Sequence, residues 1–75
     1  MDHVIDAREM EPPEPMERTL DALAALSAGD RVVLRLTRQP FPLFDLLRRM
    51  GYLWEVSGGD GDYQILIRTA DGSPA

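Results

Sequence analysis

The chain has 75 residues, a net charge of −5 and no cysteine. That describes one small domain, burying about 60% of the surface its unfolded chain exposes, with no disulfide, thiolate zinc site or thiol nucleophile. The apolar runs fall far short of the roughly 20 residues of a membrane span, and the start MDHVIDARE lacks the basic region of a signal peptide, so a cytoplasmic protein without a membrane partner is expected.

The β-branched segment HVIDA (3–7) predicts a first strand. The loop that follows is stiff and acidic, with Glu9, Glu11, Glu14 and Glu17 around Pro12, Pro13 and Pro15. From Met16, apolar positions at Met16, Leu20, Leu23 and Leu26 recur at helical spacing, and Gly29 offers a C-terminal stop. Pro15 suits a first helical position, and Glu14 and Glu17 each gain roughly 0.3–1 kcal/mol from the helix dipole.

RVVLRLT (31–37) alternates with period two, which predicts a strand buried mainly on one face. RQPFP (38–42) is a second rigid corner, because Pro40 and Pro42 fix their own φ and restrict the preceding residues. A second helix is expected from about Pro42, with Leu43, Leu46, Leu47 and Met50 on its apolar face. Arg48 and Arg49 lie near its negative end, and Gly51 closes it. YLWEV (52–56) and DYQILIRT (62–69) read as a hairpin joined through SGGDG, and the tail over 70–75 is expected to fray.

The order β-α-β-α-β-β points to an α+β two-layer sandwich, a single domain whose ordered core spans about 3–69. Two helices should cover one face of a mixed four-stranded sheet. If Tyr63, Ile65 and Ile67 face the core, the uncovered face carries Val33, Arg35 and Thr37 on the second strand and Gln64, Leu66 and Arg68 on the last. These read either as scattered surface hydrophobes or as a dimer or partner face, with Val33, Arg35, Gln64, Leu66 and Arg68 at its centre.

The run IDAREMEPPEPM, then a helix, Gly29-Asp30, an alternating strand, Pro40, Asp45-Leu46 and Gly51, resembles the TusA/SirA sulfur-carrier family over residues 4 to about 69. The resemblance implies the same β-α-β-α-β-β sandwich and a Cys-Pro-x-Pro signature at the first helix. Pro13-Glu14-Pro15 match the Pro-x-Pro part, and Pro12 stands where the cysteine would be. A persulfide carrier needs a thiolate at that helix end, so sulfur relay here is excluded by composition. PPEPM and RQPFPL are similar to a cysteine-lacking, uncharacterised branch of that superfamily, and the resemblance implies association with redox and metal proteins.

No catalytic, cofactor-binding or metal-binding residue is assigned, and no cofactor is expected. His3 is the only histidine, which leaves His3, Met10 and Met16 as a weak soft-metal set. SGGDGD precedes a strand, so it is a hairpin turn rather than a phosphate loop. Asp60 and Asp62 are too few for calcium. Tyr52, Trp54 and Tyr63 suit packing better than base stacking.

Charge is uneven. Residues 1–30 hold two Arg against eight acids, residues 31–54 five Arg against one, and residues 55–75 one Arg against four. Arg35, Arg38, Arg48, Arg49 and Arg68 could contact RNA, but the overall negative charge argues against a nucleic-acid partner.

The Pro-rich loop either starts the helix and does nothing else, or joins the second corner in a rigid recognition edge of Glu11, Pro12, Pro13, Glu14, Pro15, Arg38, Gln39 and Pro40. Both corners follow successive parallel strands, which places them at one end of the sheet. The expected function is a non-catalytic, TusA-like interaction or regulatory module with a protein partner or a second copy of itself. The alternative is a small-ligand-binding or redox-associated domain using the two corners. A concave site joining Glu11 or Glu14 to Arg38 would favour the alternative.

Overall fold

The computed structural model describes residues 1–27 and 29–69; the tail expected to fray, 70–75, lies outside the described residues. The elements are β1 (Asp2–Asp6), α1 (Glu14–Ala24), β2 (Arg31–Leu36), α2 (Phe41–Met50), β3 (Tyr52–Gly59) and β4 (Asp62–Thr69). The sheet order is β1-β2-β4-β3. β1 and β2 are parallel, and β4 runs antiparallel to both β2 and β3. β2 and β3 are therefore parallel to each other, so each helix bridges a parallel pair and β4 fills the gap between β2 and β3.

One face of this sheet is covered. Val32, Leu34 and Leu36 of β2 and Ile65 and Ile67 of β4 are buried with Leu23 of α1 and Leu43, Phe44 and Leu47 of α2 in a single cluster. The alternation read from RVVLRL is what allows this, since successive residues point to opposite faces. Phe44 stacks on Trp54 with ring centroids 5.3 Å apart, and the Arg48 guanidinium sits 5.8 Å from the Trp54 ring. Trp54 thus serves packing between α2 and β3. Thr19 is the buried polar residue among the described residues, and its hydroxyl donates to the Pro15 carbonyl at 2.8 Å.

The element boundaries differ from expectation in places, each for a local reason. β1 begins at Asp2, one residue early, because the Arg31 N–H donates to the Met1 carbonyl at 3.0 Å and extends the ladder. α1 begins at Glu14, one residue before the Pro15 read as suiting a first helical position and two before the apolar period. It ends at Ala24, before Leu26 and Gly29, where the Ala25 and Leu26 N–H groups tighten onto the Ala22 and Leu23 carbonyls. Gly29 instead belongs to the return turn, where the Asp30 carboxylate accepts the Ser27 N–H at 3.2 Å. Thr37 lies just past β2.

α2 ends as read, at Gly51 with φ 84°, a left-handed position suited to glycine. β3 runs on to Gly59, so the hairpin turn narrows to Asp60-Gly61. Their φ values of 51° and 86° are those of a two-residue turn whose twist matches the strands.

Candidate functional site

The two corners do meet. β1 and β2 are adjacent and parallel, so the loops leaving Ala7 and Leu36 emerge side by side at one end of the sheet. Between them lies a cleft of about 590 Å³, within the usual range for small-ligand sites. Its floor is the edge of the core, where the buried residues Ala7, Leu34, Leu36 and Leu43 underlie the cavity. One wall comes from the first corner (Met10, Glu11, Pro12, Pro13, Pro15, Met16), the other from the second (Thr37, Arg38, Gln39, Pro40, Pro42).

The walls are held by backbone hydrogen bonds as well as by proline. In the first corner Met10 N–H donates to the Ala7 carbonyl (3.2 Å), Glu14 N–H to Glu11 (2.9 Å) and Glu17 N–H to Pro13 (3.1 Å). The Pro12–Pro13 peptide bond is cis. In the second corner the Pro40 carbonyl accepts both the Leu43 and Phe44 N–H groups, at 2.9 and 3.1 Å, and Phe41 N–H donates to Gln39. Pro42 has no N–H to give. The start of α2 therefore satisfies its own donors, and polar recognition at that wall falls to the side chains of Arg38 and Gln39.

Of the recognition edge expected from the sequence, Glu11, Pro12, Pro13, Pro15, Arg38, Gln39 and Pro40 line this cleft. Glu14 does not. It faces Arg18 one turn along α1, with 3.5 Å between their charged atoms. Glu11 and Arg38 come from different walls and, among the described residues, neither takes part in an ion pair. Five other arginines do: Arg8 with Asp6, Arg18 with Glu14, Arg31 with Asp2, Arg35 with Asp62 and Arg48 with Asp45. Sequence reasoning missed the apolar floor, and singled out Met10 and Met16 only as soft-metal candidates with His3 rather than as cleft residues. Their signal was a loop richer in Met and Pro than turn-making needs, but that has meaning only once the two corners are known to face each other.

The open face carries the residues read for it. Val33 stands opposite Leu66 and Arg35 opposite Gln64, with Val4 beside Val33 and Leu53 beside Arg68. Val4 is 66% exposed. The five arginines considered for RNA are divided, with Arg35 and Arg68 on this face, Arg38 at the cleft, and Arg48 and Arg49 in the last turn of α2.

Among the described residues two carboxylates, Asp6 and Asp30, are perturbed, and neither lines the cleft. The Arg8 guanidinium and N–H hold Asp6 down to about 2. His3 and the amino terminus hold Asp30 down to about 2, with His3 Nε2 at 3.1 Å. His3 is thus engaged by Asp30, whereas Met10 and Met16 line the cleft. Among the described residues, no three of His, Asp and Glu gather in a metal-binding group, and no helix is long and apolar enough to cross a membrane.

A family model described as "Uncharacterized conserved protein (DUF2249)" matches residues 4–69. The chain belongs to this family. The DUF2249 match runs through all four strands, both helices and both corners of the cleft. Neither the curated proteins nor the solved structures include a match to the chain.

Proposed function

We propose that this DUF2249 domain is a non-catalytic binding module that takes a small ligand in the cleft between its proline-rich corners. The observation that carries this reading is the cleft itself: an apolar floor continuous with the core, rigid walls, and Glu11 and Arg38 on opposite sides, neither ion-paired among the described residues. Ligand sites combine apolar enclosure with a few placed polar groups in this way. Rigid walls limit the ordering that binding would otherwise cost.

The scaffold reading is TusA-like. It is supported by the order β-α-β-α-β-β and by Pro13-Glu14-Pro15 at the entrance of α1. With Pro12 where that family carries its cysteine, the corner holds a shape and no sulfur. Nothing with an activating partner stands in its place, so the work assigned to the cleft is recognition.

The test is a screen of anionic, cationic, neutral and zwitterionic small molecules by amide chemical shifts. Hits that move Ala7, Met10, Thr37 and Gln39 together support the reading. Hits that move only Val33, Leu66 and their neighbours refute it.

A second reading rests on the apolar row Val4, Val33 and Leu66 across the open face, which would serve a protein partner or a second copy of the chain. Light scattering on wild type and on Val33→Asp separates it. Loss of a dimer in the variant supports this reading, and a monomer at every concentration sinks the self-association form of it.

A further inference from the structure

The charges on the two walls specify more than a cleft. We infer that the ligand is a zwitterion with an apolar body, an apolar α-amino acid being the simplest class, its ammonium taken by Glu11 and its carboxylate by Arg38. This rests on the cleft being the binding site.

The first wall carries one carboxylate, Glu11, so a ligand that is only an anion would meet repulsion there. The second wall offers an arginine with no carboxylate partner among the described residues, where most arginines are paired, so a ligand that is only a cation would meet repulsion at Arg38. Only a ligand bearing both signs answers both walls. The start of α2 does not supply the anion site, because it uses its own N–H groups on the Pro40 and Gln39 carbonyls.

Beside the charged groups the lining includes hydrocarbon and thioether, with Met10, Met16, Leu36 and Leu43 among it. Such a surface prefers a leucine-, methionine- or phenylalanine-like side chain over a polar one. Methionine side chains also adapt to ligands of different shape.

The chain carries its own reporters. Of the four methionines, Met10 and Met16 line the cleft, while Met1 precedes β1 and Met50 ends α2, both exposed. With methyl-¹³C methionine, L-phenylalanine should shift the Met10 and Met16 methyl signals and leave Met1 and Met50 in place. 3-Phenylpropionate lacks the ammonium, and L-phenylalaninamide lacks the carboxylate. Each should bind about ten-fold or more weakly, the expected loss of one charge-assisted contact.

Arg38→Gln should weaken phenylalanine by a similar factor and leave the amide unaffected or improved. Glu11→Gln should weaken phenylalanine and leave 3-phenylpropionate unaffected or improved. If 3-phenylpropionate or the amide moves Met10 and Met16 at least as tightly as phenylalanine, the zwitterion inference is overturned while the cleft remains the binding site. If none of the three moves those methyls, the inference and the cleft reading fail together.

Discussion

Leu34 and Val33 are neighbours on β2 that point to opposite faces, so truncating each in turn tests the two-layer architecture directly. Leu34 has no exposed surface, whereas Val33 is half-buried on the open face. Leu34→Ala removes about three carbons, worth roughly 0.8 kcal/mol each in transfer. The cavity left behind adds to this, and such changes cost roughly 3–5 kcal/mol in well-packed cores. Leu34 also borders the cleft, so part of the space left is continuous with it and the lower part of that range, about 3 kcal/mol, is expected.

Val33→Ala removes two partly solvated methyls and should cost under about 1 kcal/mol. A chain of 75 residues has a total stability of roughly 4–11 kcal/mol, so the first change is severe and the second mild. At roughly 4–8 °C per kcal/mol for a domain of this size, Leu34→Ala should melt about 12–24 °C below wild type. Urea titration followed through Trp54, the sole tryptophan and stacked on Phe44, reads both variants. Equal costs, or a larger cost for Val33→Ala, would show that the helices do not cover the face assigned to them.

Other consequences can be measured with the same fluorescence assay. Gly51 and Gly58 both have φ 84°, but a Cβ at Gly51 meets open space while one at Gly58 runs into the Asp62 carbonyl. Gly51→Ala should cost roughly 1–2 kcal/mol from backbone conformation alone, and Gly58→Ala measurably more; a smaller loss at Gly58 would contradict the close approach of β3 and β4 at that point. Asp6 has its folded pKa lowered to about 2, so its stabilising effect is fully present above the unfolded value near 3.9 and is lost as pH falls toward 2. Asp6→Asn should therefore flatten the stability profile between about pH 4 and 2 and leave its slope near neutrality unchanged; an unaltered acid limb would remove Asp6 from the account. Arg48→Gln should cost under about 1 kcal/mol, since its contact with Trp54 is exposed, and should shift the tryptophan emission; an unchanged spectrum would argue that the guanidinium does not lie over the ring.

Much of the fold was legible because its signals are local. β4 has the bounds read from DYQILIRT, and α2 ends at the glycine expected to end it. The misplaced boundaries share a cause: short-range composition was overruled by hydrogen bonding. α1 starts two residues before its apolar period because the Glu11 and Pro13 carbonyls accept its first N–H groups, a task usually signalled by a Ser, Thr, Asp or Asn that is absent here. Ser57, Gly58 and Gly59 look like turn residues, yet they pair with Gln64, Tyr63 and Asp62 because Asp60-Gly61 suffices for the turn.

The candidate site was half legible. Strand order placed the two corners at one end of the sheet, and the proline, glutamate and arginine residues named for them line the cleft. The floor was hidden, because Leu34, Leu36 and Leu43 look in sequence like any other core positions. Only the meeting of two loops far apart in sequence sets them beneath a cleft. Glu14 was read as part of the edge because it lies between two prolines; helical geometry turns it toward Arg18 instead.

The most direct measurement of the central claim is the set of intermolecular nuclear Overhauser contacts made by the tightest small-molecule ligand found in the screen. The cleft account predicts contacts from its apolar part to the Met10 and Met16 methyls and to Leu36 and Leu43, with none to Val4, Val33 or Leu66. Contacts confined to Val4, Val33 and Leu66 would contradict it and move the working surface of the protein to the open face of its sheet.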